Sequence, residues 1–284
     1  MTAREKFTEL RRVLTPALGA SEAEAAARIL MEDLAGFDRK KLFADGDRTL
    51  LDFIEDKLDA ATKRILDGEP VQYAVGSARF CGLDLGVSPA VLIPRPETEG
   101  LVDLVTDRLA GRRDLRGLDV CTGSGCIAVA LARALPFSEI KACDISDEAL
   151  ALARANGKRL APGVEFFKAD ALRLPVQASG SYDFIVSNPP YVLPSEKAGM
   201  DARVLDHEPA LALFVPEDSP LLFYEAIADY ALKALRQGGM LFFEINQAEG
   251  GAMRKMLADK GFDRSSIEIL KDFTGRDRYA IARR

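Results

Sequence analysis

Between Gly117 and Ile245 short apolar runs alternate with helix-forming segments, and this alternation restricts the fold more than any other feature of the chain. The strand-like runs are 117–121, 139–143, 164–168, 184–187 and 240–245. Helical periodicity is clearest over 127–134, 147–159 and 221–235. Strands and helices alternating at this spacing predict an α/β fold with a doubly wound, mostly parallel sheet. The tail departs from the pattern. Residues 267–270 and 278–282 are separated only by the short loop Lys-Asp-Phe-Thr-Gly-Arg-Asp. Parallel neighbours need a long crossover, so these two strands are expected to pair antiparallel.

The first seventy residues read instead as a small helical bundle. Thr2 and Glu5 form a capping-box pattern ahead of Phe7, Leu10, Val13 and Leu14 at helical spacing. Ser21 and Glu24 repeat the device ahead of Ala25, Ile29 and Met31. Asp47 is expected to cap a third long helix that carries Leu50 to Ile65 and stops near Gly68-Glu69-Pro70. From Val71 to Val91 the period changes to two, through Val71, Tyr73, Val75, Phe80, Leu83, Leu85 and Val87, with glycines between them, which predicts a hairpin. The expected division is 1–70 helical, 71–96 β-hairpin and linker, and 97–284 α/β domain. The bundle carries no chemical motif, so it serves as scaffold or as a dock for a macromolecular partner.

Composition narrows the function classes. An apolar content of 48% excludes global disorder, and 38 basic against 44 acidic residues give a net charge of −6. That balance argues against a protein whose main task is gripping nucleic acid, which needs a basic face. No apolar run is long enough to span a bilayer, and the N-terminal residues resemble neither a signal nor a transit peptide, so a cytoplasmic protein is expected. The four cysteines read as reduced thiols. A single histidine, His207, makes a zinc site and a Ser-His or Cys-His pair poor expectations.

Two motifs carry chemistry. Leu118 to Ala128 reads as strand, glycine turn and helix start, with Gly123 and Gly125 exposing helix N-terminal amides after Cys121 and Thr122 and around Ser124. The next strand ends at Asp144, placed to accept from two ribose hydroxyls or simply to cap the following helix. Asp170, beside Ala171 after the third strand, is placed to accept from an adenine amino group or to form a turn. All three features fall at the carboxyl ends of strands, where open α/β sheets bind ligands. An adenosine ligand follows; S-adenosyl-L-methionine and NAD both remain open.

The second motif is Ser187-Asn188-Pro189-Pro190-Tyr191, after the strand Phe184-Ile185-Val186. The prolines fix the backbone and remove two donors. The Asn188 side-chain oxygen and the Pro189 carbonyl can then both accept from an NH₂ group on a planar carbon, with the Tyr191 ring as a face to stack on. Such a nitrogen is a weak nucleophile. Two acceptors would hold it, enrich it and aim its lone pair, and the product proton is acidic enough to leave to water. No dedicated base is required, in keeping with the shortage of histidine.

This turn resembles the Asn/Asp-Pro-Pro-aromatic signature of methyltransferases acting on planar amino nitrogens. Together with GEPVQYAVGSARFCG, VLIPRPETE, DVCTGSGCIA and the tail DFTGRDRYAIAR, it makes nearly the whole chain similar to the release-factor glutamine N5-methyltransferase (PrmC/HemK) family. The resemblance implies a class I SAM-dependent methyltransferase with a Rossmann-like sheet closed by an antiparallel C-terminal hairpin. It implies S-adenosyl-L-methionine as donor, S-adenosyl-L-homocysteine as product, and the glutamine of the Gly-Gly-Gln loop of class I peptide chain release factors as acceptor. A monomer without stable nucleic-acid or membrane binding and without a metal is expected. Carried over by position, Cys121, Thr122, Gly123, Ser124, Gly125, Asp144, Asp170, Ala171 and Asn188 would contact the donor. Asn188, Pro189, Pro190 and Tyr191 would bind the glutamine, with Asn188, Pro189 and Tyr191 catalytic. Arg95, Glu97 and Glu99 of the PRPETE loop would lie at the methionine end or the substrate mouth, or form a salt-bridged helix start. The chain departs from the family in having Cys121 where glycine is usual, and His207 before Glu208-Pro209. An rRNA or DNA amino methyltransferase is the main alternative, since it shares the turn. An NAD-dependent oxidoreductase leaves the turn unexplained, and an idle binding module leaves it unused.

Overall fold

The computed structural model describes residues 1–175 and 180–284. They form two compact units: Met1–Ser77 with Asp201–His207, and Ala78–Met200 with Glu208–Arg284.

The first unit is helical: α1 (Ala3–Leu18), α2 (Ala20–Ala35), α3 (Arg39–Ala44), α4 (Asp52–Leu66) and α5 (Val71–Val75), with a short helix at Ala202–His207. Leu10 and Leu14 of α1, Leu30 and Met31 of α2, and Leu58 and Ile65 of α4 make its core. The capping box of Thr2 and Glu5 is present. Lys6 is buried, and its ammonium is matched by Glu9 at 2.9 Å and by Asp59 of α4 at 2.6 Å.

Three local expectations fail here for identifiable reasons. Ser21 does not cap α2, because Gly19 at φ 78° both ends α1 and starts α2, leaving Ser21 inside the first turn. Glu24 pairs with Arg28 and Arg11 instead. Asp47 does not cap α4, because Ala3 donates to the Arg48 carbonyl and Leu50 to that of Met1. These bonds hold 48–50 against the N-terminus, and the helix begins only at Asp52; Asp47 faces Arg4. Residues 71–75 form a helix, not a strand. Tyr73 and Ala74 are buried next to each other, Gly76 at φ 79° closes the turn, and Arg64 donates to the carbonyls of Tyr73 and Ala74. The hairpin is therefore shorter than 71–91.

That hairpin is β1 (Ser77–Phe80) and β2 (Leu83–Gly86), joined by Cys81 and Gly82 with φ 47° and 71°, a two-residue turn whose positive φ values suit the strand twist. Next come α6 (Pro96–Arg108), β3 (Arg116–Val120), α7 (Cys126–Ala134), β4 (Glu139–Asp144), α8 (Asp147–Leu160), β5 (Glu165–Lys168) and β6 (Tyr182–Ser187). Then follow α9 (Leu222–Ala234), β7 (Leu235–Glu244), α10 (Gly250–Lys260), β8 (Glu268–Lys271) and β9 (Asp277–Arg283). α6 starts at Pro96 because proline's fixed φ suits the first helical position and Glu97 and Glu99 favour the positive end of the helix.

The sheet order is β5-β4-β3-β6-β7-β9-β8. The first five strands are parallel, and β9 runs antiparallel to both neighbours, as the tail predicts. One core packs α6, α7 and the hairpin residues Phe80 and Leu85 against one sheet face, and a second packs α9 and α10 against the other. Gly117 is required by this packing: a Cβ there would sit 2.2 Å from the Phe184 ring. The chain winds outward from β3 through β4 to β5, then crosses to β6 and β7. The switch point between β3 and β6 opens a crevice at their carboxyl ends.

Candidate active site

A cavity of about 440 Å³ opens at that crevice. Cys121, Thr122, Gly123, Ser124, Asp144, Asp170, Ala171 and Asn188 line it, as do Pro190 and Arg95. Gly125 stands behind the loop, as the residue preceding α7. Pro189, Tyr191, Glu97 and Glu99 are not on the wall. Ile145, Leu172, Leu211 and Phe223 add apolar surface to it.

The glycine loop is tied from below. Thr122 N–H donates to the Cys143 carbonyl at 3.0 Å, and the Thr122 hydroxyl donates to buried Asp119 at 2.6 Å. Burial pushes the Asp119 carboxyl up to about 7. Cys121 sits at φ 62°, a left-handed position that disfavours a side chain, which is the cost of having no glycine there. Asn156 of α8, wholly unmarked in the sequence reading, stitches the loop to the hairpin: it accepts from Gly86 N–H at 2.7 Å and donates to the carbonyls of Gly86 (3.0 Å) and Ser124 (2.9 Å).

Asp144 accepts from Gly123 N–H at 2.9 Å and from Ser146 N–H at 3.0 Å. The helix-capping role itself falls to Ser146, whose hydroxyl accepts from Ala149 N–H. Asp170 caps a short 3₁₀ turn by accepting from Leu172 N–H. The wall carries three carboxylates, Asp144, Glu148 and Asp170, against one cation, Arg95, and Arg95 is already paired with buried Glu208. Glu208 also accepts from Ile93 N–H, so the PRPETE loop is fastened on both sides of that carboxylate. With Thr122 and Gly123 amides committed inside the protein and the wall acidic, the chamber suits an adenosine ligand of positive charge and opposes a pyrophosphate.

The Asn-Pro-Pro-Tyr turn leaves β6 beside this loop, and Ser187 donates to the Val120 carbonyl at 2.6 Å. The Asn188 amide donates to Thr98 Oγ1 at 3.3 Å. Thr98 donates to Glu244 Oε2 at 2.7 Å, and Tyr191 donates to Glu244 Oε1 at 3.1 Å. Asn246 donates to the Tyr191 carbonyl at 3.3 Å. Tyr191 thus stands on the protein side of the turn, tethered by its hydroxyl. Burial pushes the Glu244 carboxyl up, opposed by the Thr98 and Tyr191 hydrogen bonds and the nearby Arg278 charge. Arg278 in turn donates to Asp272 at 3.1 Å, and the Asp272 carboxyl is held low by Thr274, the Arg276 amide and Arg278. Sequence reading missed Thr98, Glu244 and Asn246. The one available signal was an acidic residue ending the otherwise apolar run Met240 to Phe243. His207 lies in the helical unit, where Gly68 is its neighbour. All four cysteines are free, and no group of metal-binding side chains occurs among the described residues.

The chain is similar to known proteins along its length. Residues 99–206 match the Methyltransferase small domain model, and residues 8–76 match the PrmC N-terminal domain model. The release factor glutamine methyltransferase of Bacteroides thetaiotaomicron is 43% identical over 263 residues, covering 93% of both chains. That of Flavobacterium psychrophilum is 35% identical, covering 95% of both. That of Koribacter versatilis is 36% identical over 100% of this chain and 99% of its own. By sequence along its whole length, the chain belongs to the release factor glutamine methyltransferase family.

Proposed function

We propose that the protein methylates the side-chain amide nitrogen (N5) of the glutamine in the Gly-Gly-Gln motif of class I peptide chain release factors, in the cytoplasm. The observation that carries this reading is the shared chamber: Asn188 of the Asn-Pro-Pro-Tyr turn lines the same cavity as the glycine loop and Asp144. A donor and an amide acceptor bound there would meet. The names of the relatives supply the acceptor.

When bound, S-adenosyl-L-methionine supplies a methyl group on a sulfonium, leaving as S-adenosyl-L-homocysteine. Asp144 would hold the ribose hydroxyls, Ser124 and Asp170 would face the adenosine, and the acidic wall would favour the cationic end. Asn188 Oδ1, on the wall of the cavity, would accept from an N–H of the glutamine amide and so orient its nitrogen toward the methyl. Orientation and stabilisation of the positive charge growing on that nitrogen carry the rate, with the surplus proton leaving to water. The helical unit, Met1–Ser77 with Asp201–His207, would dock the release factor.

The test is direct. Purified release factor, incubated with the protein and S-adenosyl-L-methionine, should gain one methyl group on the Gly-Gly-Gln glutamine by peptide mass analysis. Asn188→Ala should abolish the gain. Labelled rRNA or DNA beside unmodified release factor would replace this reading with that of a nucleic-acid methyltransferase.

A further inference from the structure

We propose that Thr98 and Glu244 form a polarity lock: they set which end of the Asn188 amide faces the cavity, and so make the site select a primary amide over a carboxylate. The inference deepens the proposed function and rests on it for the identity of the acceptor. Glu244 closes β7 and is buried, with Thr98, Tyr191 and Arg278 around its carboxylate. Burial opposes charge on this carboxyl, but the Thr98 and Tyr191 hydroxyls both donate to it and the Arg278 charge lies near, an arrangement that matches the lone pairs of an ionised carboxylate. The single Thr98 proton is therefore committed to Glu244. Thr98 Oγ1 is left with acceptor capacity alone toward Asn188, so the Asn188 NH₂ must turn to Thr98 and Oδ1 must turn away from it.

An Asn188 so held presents an acceptor to the substrate. A glutamine NH₂ satisfies it; a glutamate carboxylate meets lone pair with lone pair. Selectivity of this kind costs the wrong substrate an unmet buried polar group. A freely turning Asn188 would serve either substrate.

Glu244→Gln reverses the sequence of donors. Arg278, itself a donor, lies beside Tyr191. The new NH₂ is therefore disfavoured on that side and turns to Thr98. Thr98 then accepts from Gln and donates onward, and Asn188 must offer Oδ1 to Thr98 and NH₂ to the cavity. Thr98→Val removes the lock without reversing it, and Thr98→Ser keeps it. Thr98 is on the cavity wall, where Thr98→Val and Thr98→Ser nearly keep its size, and Glu244 is buried behind it.

Three measurements test the lock. With release factor as acceptor, E244Q should lose on the order of 10²-fold in kcat, T98V about tenfold, and T98S should match wild type, all with unchanged S-adenosyl-L-methionine affinity. In competition, a release factor whose motif glutamine is replaced by glutamate should inhibit wild type weakly and E244Q strongly. In the free, ¹⁵N-labelled protein, one Asn188 side-chain proton should be protected from exchange in wild type and T98S, and unprotected in T98V. Wild-type kcat and wild-type preference for glutamine in E244Q, or Asn188 exchange indifferent to T98V, overturn the lock. A wild-type protein that leaves release factor unmethylated overturns the acceptor assignment instead, and the exchange arm still decides the lock.

Discussion

Asn156 offers the sharpest test of how the glycine loop is held in place. Its side chain is 2% exposed and makes three hydrogen bonds, one accepted from Gly86 N–H and two donated to the carbonyls of Gly86 and Ser124. Asn156→Ala removes all three bonds. The Ser124 bond is buried and its loss costs about 1–3 kcal/mol; the two Gly86 bonds are partly buried and cost about 0.5–1.5 kcal/mol each. The expected loss of stability is about 4 kcal/mol, read as a fall in the urea midpoint at constant m-value. Asn156→Asp is the stricter comparison. It keeps the acceptor for Gly86 N–H but turns lone pairs, and at neutral pH a charge, toward two carbonyl oxygens. It should be less stable than Asn156→Ala at pH 7 and recover as the pH is lowered and the carboxyl protonates. Should Asn156→Ala cost under about 1 kcal/mol, or Asn156→Asp equal the alanine variant at every pH, the three bonds do not hold the loop.

Gly117→Ala drives a methyl into the Phe184 ring, 2.2 Å from the built Cβ, and should destabilise by about 3 kcal/mol, with partial recovery in Gly117→Ala/Phe184→Leu by thermal melting. Cys121→Val, a β-branched residue at φ 62°, should cost about 2 kcal/mol and weaken S-adenosyl-L-methionine binding by calorimetry, whereas Cys121→Gly should leave binding intact. The Asp119 carboxyl, pushed up to about 7, contributes stability that is full below its ordinary value and fades as pH rises through 7. Asp119→Asn removes that titration, so its urea midpoint relative to wild type should improve between pH 4 and pH 8; a constant difference would contradict the assignment.

The sheet was legible in the sequence because each strand run was apolar and bounded by helix signals, and the short loop before Arg278 left the tail one way to pair. The helical unit was legible in composition and less so in detail. Ser21 and Asp47 have the chemistry of caps, but the helix starts were set by Gly19 and by backbone bonds to residues 1–3 that lie far away in sequence. Val71, Tyr73 and Val75 alternate like a strand, yet a cation from α4 captures the carbonyls of Tyr73 and Ala74. At the site, Cys121 to Ser124, Asp144 and Asn188 could be placed because each follows a strand whose carboxyl end is predictable. Asn156, Thr98 and Glu244 could not. They act through partners 32 to 146 residues distant, and nothing in their own neighbourhood advertises the pairing.

The position of β9 bears on how this protein is made. It is synthesised after β8 yet lies between β7 and β8, and it brings Arg278 to the turn that holds Asn188. Until residues 277–283 have emerged from the ribosome, β7 has an open edge and β8 has no neighbour to join. A nascent chain stalled before Arg278 therefore carries the whole glycine loop and the whole Asn-Pro-Pro-Tyr turn, but lacks the cation beside Glu244. Completion of the hydrogen-bonded frame behind Asn188 therefore waits on β9 joining the sheet.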